Sequence, residues 1–149
     1  MPRYNKIYAG PYTENLPQTR EGLAFEDITP GCLVTFDSGE FSLADASTVS
    51  PVWVAQDNYL TLKTVETVNE TGNTMIGMIM LQQQLFNCLV PTGQNLSVGT
   101  ELTSNANGQL VAAGVGDRVF AMSEEDYNND TGESQLVHVR AVPGYVRAA

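Results

Sequence analysis

The sequence predicts a mainly β protein, a small single-domain β-barrel or sandwich built from two similar glycine-strand repeats and led by an extended N-terminal arm. Three observations carry that prediction. The chain of 149 residues is 42% hydrophobic and only 16% charged, which supplies apolar surface for one buried core. Thr, Asn, Gly and Ser are plentiful, as suits strands joined by turns and disfavours an all-helical fold. Finally, one phrase occurs twice. Pro30-Gly31-Cys32-Leu33-Val34 is matched by Val98-Gly99-Thr100-Glu101-Leu102, and Gly39-Glu40-Phe41 by Gly108-Gln109-Leu110. Each copy then closes on an apolar run with an acidic, Tyr-ended tail, residues 52–59 and 119–127. The paired glycines stand eight apart in one copy and nine in the other, so Gly31, Gly39, Gly99 and Gly108 are assigned as structural turn glycines.

The elements follow in chain order. Residues 1–27 read as the extended arm, because Pro2, Pro11 and Pro17 interrupt any helix. Tyr4, Tyr8 and Tyr12 recur every four residues there. Those tyrosines either lie on the chain's own barrel or anchor the arm on a neighbour, since Tyr and Arg are favoured at interface hot spots. The first twenty residues carry Arg3, Lys6 and Arg20 against Glu14, a balance of +2 that leaves −12 for the remainder.

The β body is expected over residues 28–142. Residues 32–36 are a β-rich run ended by the turn Asp37-Ser38-Gly39, and residues 52–55 form a short apolar strand after Pro51. Alternating apolar residues predict a further strand over 60–66. Asn69-Glu70-Thr71-Gly72-Asn73 is the clearest turn. The apolar run 75–81 predicts a buried strand in which Gly77 marks a bulge or a close backbone contact. Residues 82–86 leave a short helix open, since Leu and Gln favour one and Pro91 and Gly93 stop it. Residues 135–140 form a terminal strand holding His138, the one histidine. Residues 143–149 form a C-terminal tail.

Composition excludes several functions. A formal net charge of −10 with only seven Lys and Arg argues against nucleic-acid binding, which draws its affinity from cations against phosphates. No apolar run of about 18 residues predicts a membrane span, and the start lacks a signal-peptide core. A cytoplasmic origin is therefore expected, with Cys32 and Cys88 as buried free thiols and the three Asn-x-Ser/Thr sequons as turns. No nucleophile elbow surrounds a Ser or Cys, and the strand-face His138 reads as structural. The chain is thus expected not to be an enzyme and to need no cofactor. Ala113-Gly114-Val115-Gly116-Asp117 lacks the third glycine of a phosphate loop. Asp126, Asn128 and Asp130 place oxygens at alternating positions as a calcium loop does, but glycine falls at the seventh position instead of the sixth and Val137 holds the twelfth. An acidic hairpin loop, with no metal, is the expectation. The alternative function from residue types is a small ligand- or carbohydrate-binding module, with Trp53, Tyr59 and Tyr127 as a stacking platform.

The repeated phrase resembles the capsid decoration, or cement, proteins of tailed bacteriophages. The resemblance spans about residues 28–142 and rests on Pro30, Gly31, Leu33, Val34, Gly39 and Phe41, then on Val98, Gly99, Leu102 and the run Asn107-Gly108-Gln109-Leu110-Val111-Ala112-Ala113. It implies a non-enzymatic virion protein, present in the host cytoplasm during assembly, that binds the capsid exterior and bridges neighbouring major capsid protein subunits. It further implies a homo-oligomer, a trimer more often than a dimer. The resemblance does not reach the arm. There residue type alone assigns Arg3, Tyr4, Lys6, Tyr8, Tyr12 and Arg20 to a capsid or subunit interface, an extended segment being suited to adding a strand to a neighbour's edge. The tail, with Tyr145 and Arg147, is open to the same task.

Overall fold

The computed structural model describes residues 2–11, 16–49 and 51–149, apart from the side chain of Pro143. Turns set the strand boundaries throughout, and thirteen strands are described. They are β1 (Tyr8–Gly10), β2 (Thr19–Ala24), β3 (Leu33–Asp37), β4 (Glu40–Leu43), β5 (Trp53–Gln56), β6 (Thr74–Ile79), β7 (Leu85–Val90), β8 (Asn95–Leu96), β9 (Glu101–Ser104), β10 (Leu110–Ala112), β11 (Arg118–Ser123), β12 (Tyr127–Asn128) and β13 (Gln135–Val146). Among the described residues the only helical element is a single 3-10 turn, Tyr59–Thr61.

The sequence repeat is a repeat of topology. In the first copy the hairpin β3–β4 places β3 at the centre, with β5 on its other edge; in the second, β9 lies between β10 and β11 in the same way. The equivalence extends outward. β5 pairs with β6 and β6 with β2, just as β11 pairs with β13 and β13 with β7. Each unit therefore follows one five-stranded path. The first, β2 to β6, closes into a barrel of order β2-β4-β3-β5-β6 through a parallel contact between β2 and β4. The second remains an open sheet of order β1-β7-β13-β11-β9-β10. Ile28 bridges Asn69 in the first unit where Leu96 of β8 pairs with Tyr127 of β12 in the second, and both apolar residues are buried.

Barrel closure follows from side-chain size. Phe41 of β4 is fully buried, and its ring lies over two glycines: a Cβ on Gly77 would come within 2.7 Å of it and one on Gly22 within 3.0 Å. Gly77 is thus a close approach, as the sequence suggested. Phe36 and Trp53 complete the cluster, with ring centroids 4.9 and 6.0 Å from Phe41. A continuous core of buried apolar residues, aliphatic and aromatic, links the units.

The seam between units uses one glycine of each repeated pair. Gly31 has φ +95°, its carbonyl accepts the Leu89 N–H at 3.0 Å, and a Cβ there would meet the Leu136 side chain at 2.6 Å. Gly108 has φ +70°, its carbonyl accepts the Leu33 N–H at 2.7 Å, and a Cβ would meet the Leu33 carbonyl oxygen at 2.5 Å. Their repeat partners Gly99 and Gly39 also have positive φ but face open space.

Two sequence expectations are corrected and one open reading is closed. Residues 60–66 are not a strand: the Asn58 carbonyl accepts the N–H groups of Thr61 and Lys63, which coils the segment and leaves Leu60 and Leu62 exposed. Residues 82–86 are not a helix, because the Gln83 N–H donates to the Ala141 carbonyl and Leu85 enters β7. The segment assigned to the arm is not uniform either. Ile7 is fully buried, Tyr8 pairs with Phe86, and β2 is integral to the barrel. At the other end β13 runs without a break past residue 142. Cys32 and Cys88 are free and buried; desolvation pushes both thiols up, Cys32 to about 12.

Candidate functional site

Beyond β5 in the first unit and β11 in the second, the fourth strand of each five-stranded path, the chain enters a loop that carries a carboxylate and a tyrosine. In the first unit these are Asp57 and Tyr59, in the second Glu125 and Tyr127. The two loops are treated very differently.

The second loop is covered by the N-terminal segment. Arg3 pairs with Glu125 at 2.8 Å and stands 3.7 Å above the Tyr127 ring. The Tyr4 hydroxyl donates to Glu125 Oε2 at 2.9 Å, and Glu125 Oε1 accepts the His138 N–H at 3.0 Å. Burial pushes the Glu125 carboxyl up, but the hydrogen bonds from Arg3, His138 and Tyr4 and the Arg3 charge outweigh it and hold the group below its ordinary value. Burial and the Glu125 hydrogen bond raise Tyr4. The next residues continue the attachment, since Asn87 donates from Nδ2 to the Lys6 carbonyl and from its backbone N–H to the Ile7 carbonyl, at 2.8 and 2.6 Å. Tyr8 packs edge-on against Phe86 and donates its hydroxyl to the Pro11 carbonyl.

Among the described residues the first loop has no such arginine and tyrosine cover. Tyr59 is half exposed, and Asp57 makes no ion pair among the described residues. Burial alone pushes the Asp57 carboxyl up, against a weaker lowering by its own backbone N–H. The neighbouring Gln56 donates from Nε2 to Asp57 at 2.5 Å, while its Oε1 is buried without a hydrogen-bond partner. A groove of about 340 Å³ opens here.

Of the interface residues assigned from sequence, Arg3, Tyr4 and Tyr8 are thus bound to the chain's own second unit. Lys6 borders the groove of the first, and Arg20 lies 4.1 Å from the Phe36 ring on the barrel. Tyr12 lies outside the described residues. The aromatic platform is not assembled: Trp53 belongs to the barrel cluster and Tyr127 lies under Arg3, which leaves Tyr59 alone accessible. His138 packs by Tyr4, with ring centroids 6.4 Å apart, and its Nδ1 stands 3.3 Å from Asn87 Oδ1. In the acidic loop, Glu124 pairs with Arg140 and Asp126 accepts the Val98 N–H. Among the described residues no group of three acidic, His or Cys side chains converges as metal ligands would. Sequence reasoning missed Glu125 and Asp57. The repeat held the signal, since each precedes its tyrosine by two residues.

No family model matches the chain, and no curated protein does. Its fold is similar to a solved structure, the N-terminal base of head fiber gp8.5 in bacteriophage phi29. The similarity has a TM-score of 0.58 at 17% identity and covers 89% of this chain and 99% of that one. At that identity the likeness is one of fold: a mainly β architecture shared over nearly the whole of both chains.

Proposed function

We propose that the chain is a structural protein of a tailed-phage head, seated on the capsid exterior, where it bridges neighbouring major capsid protein subunits and stabilises the shell. The observation that carries this reading is the end-to-end fold similarity to a head fiber base, reached independently of the repeated phrase that resembles decoration proteins. In this reading the protein acts as a homo-oligomer, with a trimer favoured. It performs no catalysis, holds no cofactor and contacts neither nucleic acid nor membrane. It reaches the virion from the host cytoplasm during assembly.

The physics asks little of each copy. A protein that binds the intact shell and not its separated subunits shifts the equilibrium towards the shell by mass action. A contact of roughly 800 Å² per partner is a standard stable interface. Because Arg3, Tyr4, Ile7 and Tyr8 are already spent on the second unit, a shell contact through the N-terminal segment would first have to break them. The proposal therefore places the shell contact on the surface left free, which includes the exposed Leu60 and Leu62.

The test is sedimentation of particles from the source lysate, with mass spectrometry across the gradient. Co-sedimentation with megadalton particles in a fixed ratio to a major shell protein is the expected result. Recovery only at the top of the gradient, as a free small oligomer, would overturn the reading.

A further inference from the structure

Asn107 is the one asparagine of the chain that precedes a glycine. At such a pair no side chain shields the following amide nitrogen, which can attack the asparagine side chain. The hairpin between β9 and β10 constrains this pair closely. Asn105 Oδ1 accepts the N–H groups of Asn107 and Gln109 at 2.9 and 3.0 Å, and the Asn105 carbonyl accepts the Gly108 N–H at 3.2 Å. Asn107 is exposed while Gly108 is buried. Gly108 stands at φ +70°, the left-handed position that a three-residue hairpin loop gives to glycine. Its carbonyl holds the Leu33 N–H of the first unit at 2.7 Å, and a Cβ on it would meet the Leu33 carbonyl oxygen at 2.5 Å. The seam between units therefore requires a glycine directly behind this asparagine. The matched hairpin turns on Ser38-Gly39 between Asp37 and Glu40, holds no asparagine, and its glycine faces open space.

We propose that Asn107-Gly108 is a site of spontaneous backbone rearrangement, held in check by the seam, and that its product unfastens the two units at Leu33. In the reaction the Gly108 nitrogen gives up its proton to solvent base and bonds to Asn107 Cγ, the Cγ–Nδ2 bond breaks, and Nδ2 leaves as ammonia. Water then opens the resulting succinimide ring. Cleavage at Cγ leaves an ordinary aspartate; cleavage at the main-chain carbonyl carbon of position 107 leaves isoaspartate, in which the chain runs through Cβ and Cγ. Attack requires the peptide between Asn107 and Gly108 to rotate. That rotation would carry the donated N–H away from Asn105 and the carbonyl away from Leu33, so the reaction proceeds from locally opened molecules. Isoaspartate lengthens the backbone by a methylene between positions 107 and 108. Gly108 then cannot keep both its place in the turn and its bond to Leu33. Either product also adds a negative charge.

The test follows the full chain in mildly alkaline buffer, folded and in guanidinium, by ion exchange for the added charge and by tandem mass spectrometry for the site and linkage. The unfolded chain should react first at Asn107, and the folded chain at least about tenfold more slowly there. Asn105→Ala removes the acceptor that closes the loop and should raise the folded rate several-fold. Asn105→Asp keeps an acceptor and should keep the slow rate, and the unfolded rates of all three chains should agree. Protein rearranged in guanidinium is then refolded and read by hydrogen exchange, with fresh protein taken through the same cycle as control. The Leu33 N–H should exchange at least about tenfold faster in the isoaspartate form than in the control. A different asparagine reacting first in the unfolded chain overturns the site. Equal rates at Asn107 in folded and unfolded chains overturn the restraint, as does a folded rate unmoved by Asn105→Ala. Unaltered Leu33 protection after rearrangement overturns the link to the seam. Each of these results leaves the head assignment standing, because that rests on the fold.

Discussion

The first unit is a closed barrel and the second an open sheet, although both follow the same five-stranded path and turn on glycines at matching positions. The difference lies in what reaches the edges. In the first unit Gly22 and Gly77 yield space to Phe41, so β4 comes close enough to β2 for Ala24 to pair with Phe41. In the second, the equivalent edge of β7 is already taken: β1 pairs with one end of it, and the Gly31 carbonyl binds Leu89 further along. The edge strand β10 is satisfied locally by Gln94, whose side-chain oxygen accepts the Ala112 N–H. Duplication has preserved the strand path and the turn chemistry, while closure is decided by the neighbours each copy acquired.

Substitutions at matched positions test that account. Phe41→Ala should cost about 4 kcal/mol and Leu110→Ala, its repeat counterpart, about 3 kcal/mol, both being fully buried. Denaturant melts would break the comparison if Leu110 cost clearly more, since the barrel would then not be the better packed unit. Gly31→Ala should cost about 3 kcal/mol, from left-handed strain plus overpacking against Leu136. Gly99→Ala, with the same strain and open space, should cost about 1 kcal/mol. Equal losses would mean that the seam is soft.

The smallest effects concern the two loop carboxylates and differ in sign. Glu125 is held below its unfolded value, so its contribution is present above the ordinary Glu range and lost as pH falls through the depressed folded value. Glu125→Gln should therefore cost about 1 kcal/mol at pH 7 and the penalty should fade in acid. Asp57 is raised, so the native state takes up its proton more readily than the unfolded chain. Its penalty is present at neutral pH and relieved as pH falls through the raised value. Asp57→Asn should accordingly be neutral or stabilising at pH 7, by less than about 0.5 kcal/mol after solvent screening. Thermal melts across pH 3 to 7 that moved in the same direction for both variants would contradict the assignment of covered and uncovered loops.

Much of this architecture was legible in the chain. The repeated glycines located both hairpins, and the apolar run with Gly77 located β6 together with its close contact. Where the reading failed, local pattern lost to backbone hydrogen bonding. Leu60, Leu62 and Val65 imitate a strand, but the Asn58 carbonyl gathers two N–H groups and holds Leu62 at φ 60°, 91% exposed. Sequence left open whether the arm lies on its own body or on a neighbour, because Tyr4, Ile7 and Tyr8 carry no mark of their partners, which lie about 80 to 130 residues away in sequence. The pairing of Arg3 with Glu125 across 122 positions is set by tertiary packing alone.

That separation also sets an order of events during synthesis. Arg3 and Tyr4 are made more than 120 residues before Glu125, Tyr127 and His138. At roughly 5–20 residues per second on the ribosome, the opening segment waits on the order of ten seconds for its binding surface to exist. The barrel unit can fold in the interval, because every strand it needs lies before residue 80. The second unit is completed when the waiting Arg3 and Tyr4 are captured by Glu125, made long after them.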